Sequence, residues 1–278
     1  MDTRFWGPSG WRLLHLITMA AADLDPKALD TVFRNLPYVL PCKFCRASLT
    51  DYYAMDPIPT HPHDFPKWLY RIHNRVNGKL REQKLITTPD PIWQNIKQHY
   101  TQLYEAQCTK GGMIGWDFLF SVAFTTPCPQ VQSAPMPGTP PIAVLNTPEL
   151  RNRWGVISRS ERIPYIEAWW RSIPKVLPIY EWRQAWSNVV KDPPSLRSGR
   201  TAITAWLYKA EAAICKELKE TQPHNSFKGL CKELQTFTSG CGKTRSLKVK
   251  TCRSKTSHIH KTFKKHRNTK YFATGGFL

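Results

Sequence analysis

The first hundred residues are written in a helical code with no trace of strand alternation. Asp25-Pro26 is a cap followed by proline, the usual opening of a helix, and Leu29, Val32, Phe33 and Leu36 follow at i, i+3, i+4 and i+7. That spacing places one apolar stripe on a helix and leaves the other faces polar. The pattern recurs. Leu13, Leu14 and Ile17 predict a first helix over about 8–22 with Ser9 as its cap, and Pro37 is expected to stop the second helix. A third begins at Cys42-Lys43-Phe44-Cys45, with Pro41 fixing its entry, and runs to about Tyr53, and Asp64 and Pro66 open a fourth carrying Trp68, Leu69, Ile72, Val76 and Leu80. Asp90-Pro91 repeats the cap-and-proline signal before Ile92, Trp93, Ile96, Tyr100 and Leu103. Five helices joined by short connections read as an all-α bundle.

Beyond residue 105 the signals are coarser. An apolar segment over 113–124 predicts a buried helix in which Asp117 needs a partner. Residues 127–148 hold seven prolines and are read as a linker or extended wrap. Helical patterning returns over 147–220, with Trp169, Trp170, Trp182 and Trp186 prominent, and 201–220 is a clear helix. Residues 236–278 carry 11 Lys and Arg and no Asp or Glu. More than half of the net charge of +20 therefore sits at one end, and such an arm is read as disordered and suited to nucleic acid or other polyanions. The division expected is 1–107, then a Trp-rich helical part over 108–235, then a tail over 236–278. No apolar run approaches the ~20 residues of a membrane helix, and no leader pattern is visible at the start, so the chain is read as soluble and unexported.

Eight cysteines lie along the chain, and only Cys42 and Cys45 have Cys-x-x-Cys spacing. The spacing alone fits a redox pair, half a zinc site or a structural disulfide. Its placement in the first turn of a helix favours the first, because the positive helix end stabilises a thiolate, and thiolate is the attacking species in disulfide exchange. A zinc reading stays open as the alternative. Cys42, Cys45, His61 and His63 form Cys-x2-Cys-x15-His-x-His, which with the basic tail would make a nucleic-acid-binding module. A thioredoxin-like unit needs strands around its cysteines, and none is signalled.

Two further blocks flank the pair. Trp11 and His15 share a helix face within Trp-x-x-x-His, and His73-Asn74-Arg75-Val76-Asn77-Gly78-Lys79-Leu80 places His73 and Asn77 on another. Taken in order, the three blocks resemble the Erv/ALR family of FAD-linked sulfhydryl oxidases over about residues 5–105. The leading Trp6-Gly7-Pro8 and Leu40-Pro41-Cys42 look most like the versions carried by large nucleocytoplasmic DNA viruses. The resemblance implies a bundle of four helices plus a short fifth binding FAD, followed by a second, mostly helical domain and the basic tail. It implies Cys42 and Cys45 as the catalytic pair, Cys45 against the flavin and Cys42 toward the substrate. It implies Gly7, Trp11, His15, His73, Asn74, Val76, Asn77, Lys79, Leu80 and Trp93 as the cofactor's surroundings, with Lys79 toward its phosphates. The activity implied is thiol oxidation: protein dithiols are the substrates, molecular oxygen is the acceptor and peroxide the product. A homodimer, and action in a host cytoplasm or virion, follow from the same likeness. Two departures stand out. No cysteine occurs between Arg46 and Gln107, so the structural disulfide common in cellular members is missing, and no second Cys-x-x-Cys provides a shuttle. Among the single thiols Cys108, Cys128, Cys215, Cys231, Cys241 and Cys252, a tail shuttle through Cys241 or Cys252 is a weak alternative.

Overall fold

Helix α1 begins at Thr3 rather than at the proline that the sequence suggests. In this computed structural model, which describes residues 1–110, 112–126 and 135–238, α1 spans Thr3–Met19 and is capped by Asp2, whose carboxylate accepts the Arg4 amide at 3.0 Å. Pro8 therefore sits in the second turn, where the missing donor costs one bond near the helix start. Helix α2 (Pro26–Val39) is capped by Asp25, which accepts from the Lys27 and Ala28 amides. Pro37 does not stop it; the helix runs two residues further, to Val39, held there by buried Tyr38 and Val39.

Helix α3 (Lys43–Met55) starts directly after Cys42, and α4 spans Phe65–Glu82. Helix α5 (Trp93–Lys110) is eighteen residues long, the same as α4, so the fifth helix is not short. Asp90 does not cap it. Its carboxylate accepts instead from Asn77 at 3.1 Å and from both terminal nitrogens of Arg81, at 2.9 and 2.6 Å, tying the loop before α5 back to α4.

Helix α6 (Trp116–Phe124) is apolar apart from Asp117 and Ser121, and Trp116, Phe118, Leu119, Phe120, Val122 and Phe124 are all buried. A helix of that kind needs packing partners all round. It lies between α1 on one side and α10 (Gly199–Glu217) on another. Gly10 of α1 makes the first contact possible, since a Cβ there would stand 3.1 Å from the Phe118 ring. The remaining elements are α7 (Pro148–Arg153), α8 (Arg159–Ser172), α9 (Tyr180–Val189) and α11 (Phe227–Thr236). A capping box of Ser158 and Glu161 opens α8. Among the described residues there is no strand, which makes the chain all-α.

The tryptophans knit the two halves together. Trp6 meets Phe118 at 5.8 Å, Phe118 meets Trp169 edge-on at 6.0 Å, and Trp169, Trp170 and Trp206 continue edge to face at 5.0 and 5.4 Å. Edge-to-face geometry suits the aromatic quadrupole. Helix α2 packs along α8, and one apolar core runs from Met1 to Leu234. The expected boundary at 107–108 falls inside α5. Asp117 finds its partner in His224, 4.0 Å away. Helix α11 returns to the chain's beginning: Phe237 stacks on Phe5 at 4.4 Å, and its carbonyl accepts the Asp2 amide at 2.7 Å. The tail over 239–278, with Cys241 and Cys252, lies outside the described residues, as does Cys128.

Candidate functional site

The cysteine pair is set by local chain chemistry. Pro41 directs an extended approach, Cys42 is the N-cap of α3 with φ −112° and ψ 127°, and Cys45 falls in the first turn. Both sulfurs therefore lie at the positive end of a thirteen-residue helix. Both are half-buried.

Cys45 forms part of the wall of a cavity of about 130 Å³ enclosed by α1, α2, α3 and α4. Helix α1 contributes Trp6, Gly7, Gly10, Trp11 and Leu14; α3 contributes Cys45, Ser48, Leu49, Tyr52 and Tyr53; α4 contributes Leu69, Ile72, Val76, Lys79 and Leu80. Leu36 and Leu40 of the second helix and its exit close one end. The lining is almost wholly apolar. At its edge the Lys79 ammonium donates to Ser48 Oγ at 2.7 Å, bridging α4 and α3.

Two buried donors in this wall have no acceptor among the described residues: the Trp6 indole N–H and the Tyr53 hydroxyl. Burial alone drives the Tyr53 phenol far above its ordinary range. Tyr52, by contrast, donates to the Arg75 carbonyl at 3.3 Å, and its phenol is pushed up to about 12 by burial and then by Glu82 and Asp51. A buried donor left unpaired costs about 1–3 kcal/mol, which marks a place where a ligand with polar edges would be welcome. Gly7 leaves space on the same side, since a Cβ there would meet nothing within 4 Å. An apolar slot with aromatic walls, orphaned donors and a thiol in its side suits a flat, polar-edged ring system such as an isoalloxazine. On this ground the residues present fit FAD.

Of the residues predicted from sequence, Gly7, Trp11, Cys45, Val76, Lys79 and Leu80 are brought together in the cavity wall. Cys42 lies beside it at the head of α3. His15 and His73 stand behind Trp11. The His73 ring stacks on Trp11 at 3.7 Å and 10°, and His15 Nε2 and His73 Nδ1 share a hydrogen bond of 3.1 Å. Tyr100 stacks on the far face of His15 at 4.4 Å. Burial, then the neighbouring His73 and His99, holds His15 well below its ordinary range, so it stays neutral. Asn77 is turned to Asp90. Asn74 is half-buried, with its side-chain oxygen unpartnered among the described residues. Trp93 packs on Tyr70 in a separate small cluster with Leu16, Ile96 and Tyr100.

The zinc alternative finds no support. Among the described residues no group of three or more His, Cys, Asp or Glu is placed to hold a metal ion, so Cys42, Cys45, His61 and His63 are not gathered. Sequence reasoning passed over Trp6, Ser48, Tyr52, Tyr53 and Arg46. Their signal was present: Cys45, Ser48, Leu49 and Tyr52 follow helical spacing on one face of α3, and Trp6 lies one turn before Gly10 on α1.

No helix among the described residues is long and apolar enough to cross a membrane. No curated protein and no solved structure matches the chain. Residues 8–101, which carry Cys42, Cys45 and all of the cavity wall except the start of α1, match the model of the Erv1 / Alr family.

Proposed function

We propose that the chain is an FAD-dependent thiol oxidase that makes disulfide bonds in protein dithiols. The observation that carries this reading is Cys45, set in the wall of an apolar, aromatic cavity with unpaired donors, with Cys42 next to it at a helix N-terminus. The Erv1 / Alr match over the same stretch supports it, since that family is FAD-binding and oxidises thiols.

A substrate thiolate attacks Cys42 of the Cys42–Cys45 disulfide. The S–S bond breaks, Cys45 leaves as thiolate, and a mixed disulfide joins Cys42 to the substrate. The substrate's second thiolate attacks its own bonded sulfur and releases Cys42, so the substrate is oxidised by two electrons and the pair is reduced. The start of α3 favours both departures by lowering the energy of a sulfur anion at its positive end. Trp11, Gly7, Val76 and Leu80, with Lys79 and the orphaned donors of Trp6 and Tyr53, would hold FAD, which would supply a two-electron acceptor beside Cys45, with dioxygen as the final oxidant. Trp11 is fixed for this contact by its stack on His73, and neutral His15 fixes His73 in turn. We further place the basic tail as an arm for polyanions, the working molecule as a homodimer, and the setting as a viral one, in host cytoplasm or virion.

Purified protein should be yellow and should consume oxygen with dithiothreitol. Cys45→Ser should keep the colour and lose turnover. Oxygen uptake at the wild-type rate by Cys45→Ser would overturn the assignment.

A further inference from the structure

Near the cysteine pair the chain buries two arginines, and among the described residues no carboxylate pairs with either. Arg46 follows Cys45 on α3 and is 8% exposed. Its Nη1 donates to the Leu40 carbonyl at 2.8 Å, and its Nε–H has no acceptor among the described residues. Arg162 comes from α8, is also 8% exposed, and donates from Nε to the Tyr38 carbonyl at 2.8 Å. Asn152 of α7, fully buried, donates to the Pro37 carbonyl at 3.0 Å and to Thr50 Oγ1 at 2.9 Å. Three carbonyls of the last turn before Cys42 are thus held by side chains, two of them from helices more than a hundred residues downstream.

Carbonyl oxygens alone are poor compensation for a buried guanidinium. Burial presses both arginines toward neutrality; at Arg46 the sulfurs of Cys42 and Cys45 act the other way, and at Arg162 the charge of Arg46 adds to the burial. Those two sulfurs are the anionic groups that bear on Arg46. They acquire charge only when the pair is reduced. In the disulfide state the cation has no counter-charge among the described residues, and reduction supplies one.

We infer that Arg46, with Arg162 behind it, sets the redox poise of the Cys42–Cys45 pair: the two buried cations stabilise the thiolate left when the disulfide is reduced, and α7 and α8 hold them there. The inference rests on the disulfide-exchange reading above. Reduction by a dithiol breaks the Cys42–Cys45 bond, forms the donor's S–S bond and moves two electrons onto the pair, one sulfur of which keeps no proton. Both arginines act through the sulfurs and are positioning residues. Other charged or titratable groups around the pair include Lys43 and Tyr52 on α3, the amino group of Met1 with Asp2 and Arg4 at the start of α1, and Lys79 of α4 across the cavity.

The test is made on full-length protein equilibrated in glutathione buffers, with the Cys42–Cys45 peptide quantified by mass spectrometry after acid trapping. Alkylation of the pair is followed against pH. Arg46→Gln and Arg162→Gln keep a hydrogen-bond donor and remove the charge. Arg46→Gln should shift the equilibrium toward disulfide about tenfold, or about 30 mV, and raise the pH of half-maximal alkylation by about one unit. Arg162→Gln should move both in the same direction by less, and Arg46→Lys should stay near wild type. A folded Arg46→Gln with wild-type potential and alkylation profile would overturn the inference. So would Arg46→Lys displaced as far as Arg46→Gln, which would make the role one of shape. Should Arg46→Gln fail to fold, an unshifted Arg162→Gln overturns it instead. A wild-type pair that does not exchange with glutathione at all would sink the exchange reading itself, a separate result.

Discussion

Replacing Tyr53 by phenylalanine removes one oxygen atom and tests the cavity's occupant directly. The Tyr53 hydroxyl is fully buried in the cavity wall with no acceptor among the described residues, and desolvation is the whole cause of its raised pKa, so no charged neighbour serves it. If the cofactor's polar edge provides the acceptor, the bound state gains a buried hydrogen bond that the free protein lacks. Such a bond is worth about 0.5–1.5 kcal/mol net, and leaving the matching ligand atom unpaired costs about 1–3 kcal/mol. Flavin affinity of Tyr53→Phe should therefore fall by about 5- to 150-fold. Tyr52→Phe is the control, because its hydroxyl already has the Arg75 carbonyl; it should cost an ordinary hydrogen bond in stability and leave affinity within about threefold. The assay is fluorescence titration of deflavinated protein with FAD. Equal affinities for Tyr53→Phe and wild type would refute the argument that the orphaned donor serves the ligand.

Gly115, at φ +96°, opens α6, and a Cβ there would stand 2.6 Å from Leu13 Cδ2; Gly138, at φ +76°, has open space around it. Gly115→Ala should cost the left-handed backbone term of about 1–2 kcal/mol plus about 1–3 kcal/mol of overpacking, and Gly138→Ala the first alone; equal urea midpoints would contradict the α1–α6 packing. At His224 burial opposes the cation, but the 2.6 Å bond to buried Glu211, with the charges of Glu211, Asp117 and Glu233, outweighs it and lifts the imidazole above its usual range. A raised folded pKa contributes stability that is full below the unfolded value of about 6.5 and is lost as pH climbs through the folded value. The wild-type melting advantage over His224→Gln should therefore shrink between pH 6 and pH 8.5, and an advantage that grew with pH would reverse the sign. A fragment ending at residue 107 exposes the Leu13 and Gly10 face that α6 covers, so it should melt without cooperativity; a sharp transition with retained flavin would establish 1–107 as a domain in its own right.

The sequence by itself determined the elements and the chemistry within reach of one helix turn. Cap, proline and apolar spacing are local signals, which is why the cysteines could be placed at the head of α3 and Trp11 and His15 on one face of α1. The same locality misled at Pro8, which reads as a first helical residue until Asp2 is seen capping six residues earlier. It misled at Asp90 as well, whose carboxylate is drawn to Asn77 and Arg81 rather than to the head of α5. Only the tertiary structure decided which residues enclose the cavity, that Tyr53 and Trp6 lack hydrogen-bond partners among the described residues, and that His15 and His73 stand behind Trp11. Arg162 shows the reason most plainly. In sequence it is one more cation on a mixed helix; its burial against the Tyr38 carbonyl, 124 residues away, arises because α2 packs along α8. Burial and partnership belong to surfaces that meet only after the chain has folded, and helical periodicity carries no record of which surface will meet which.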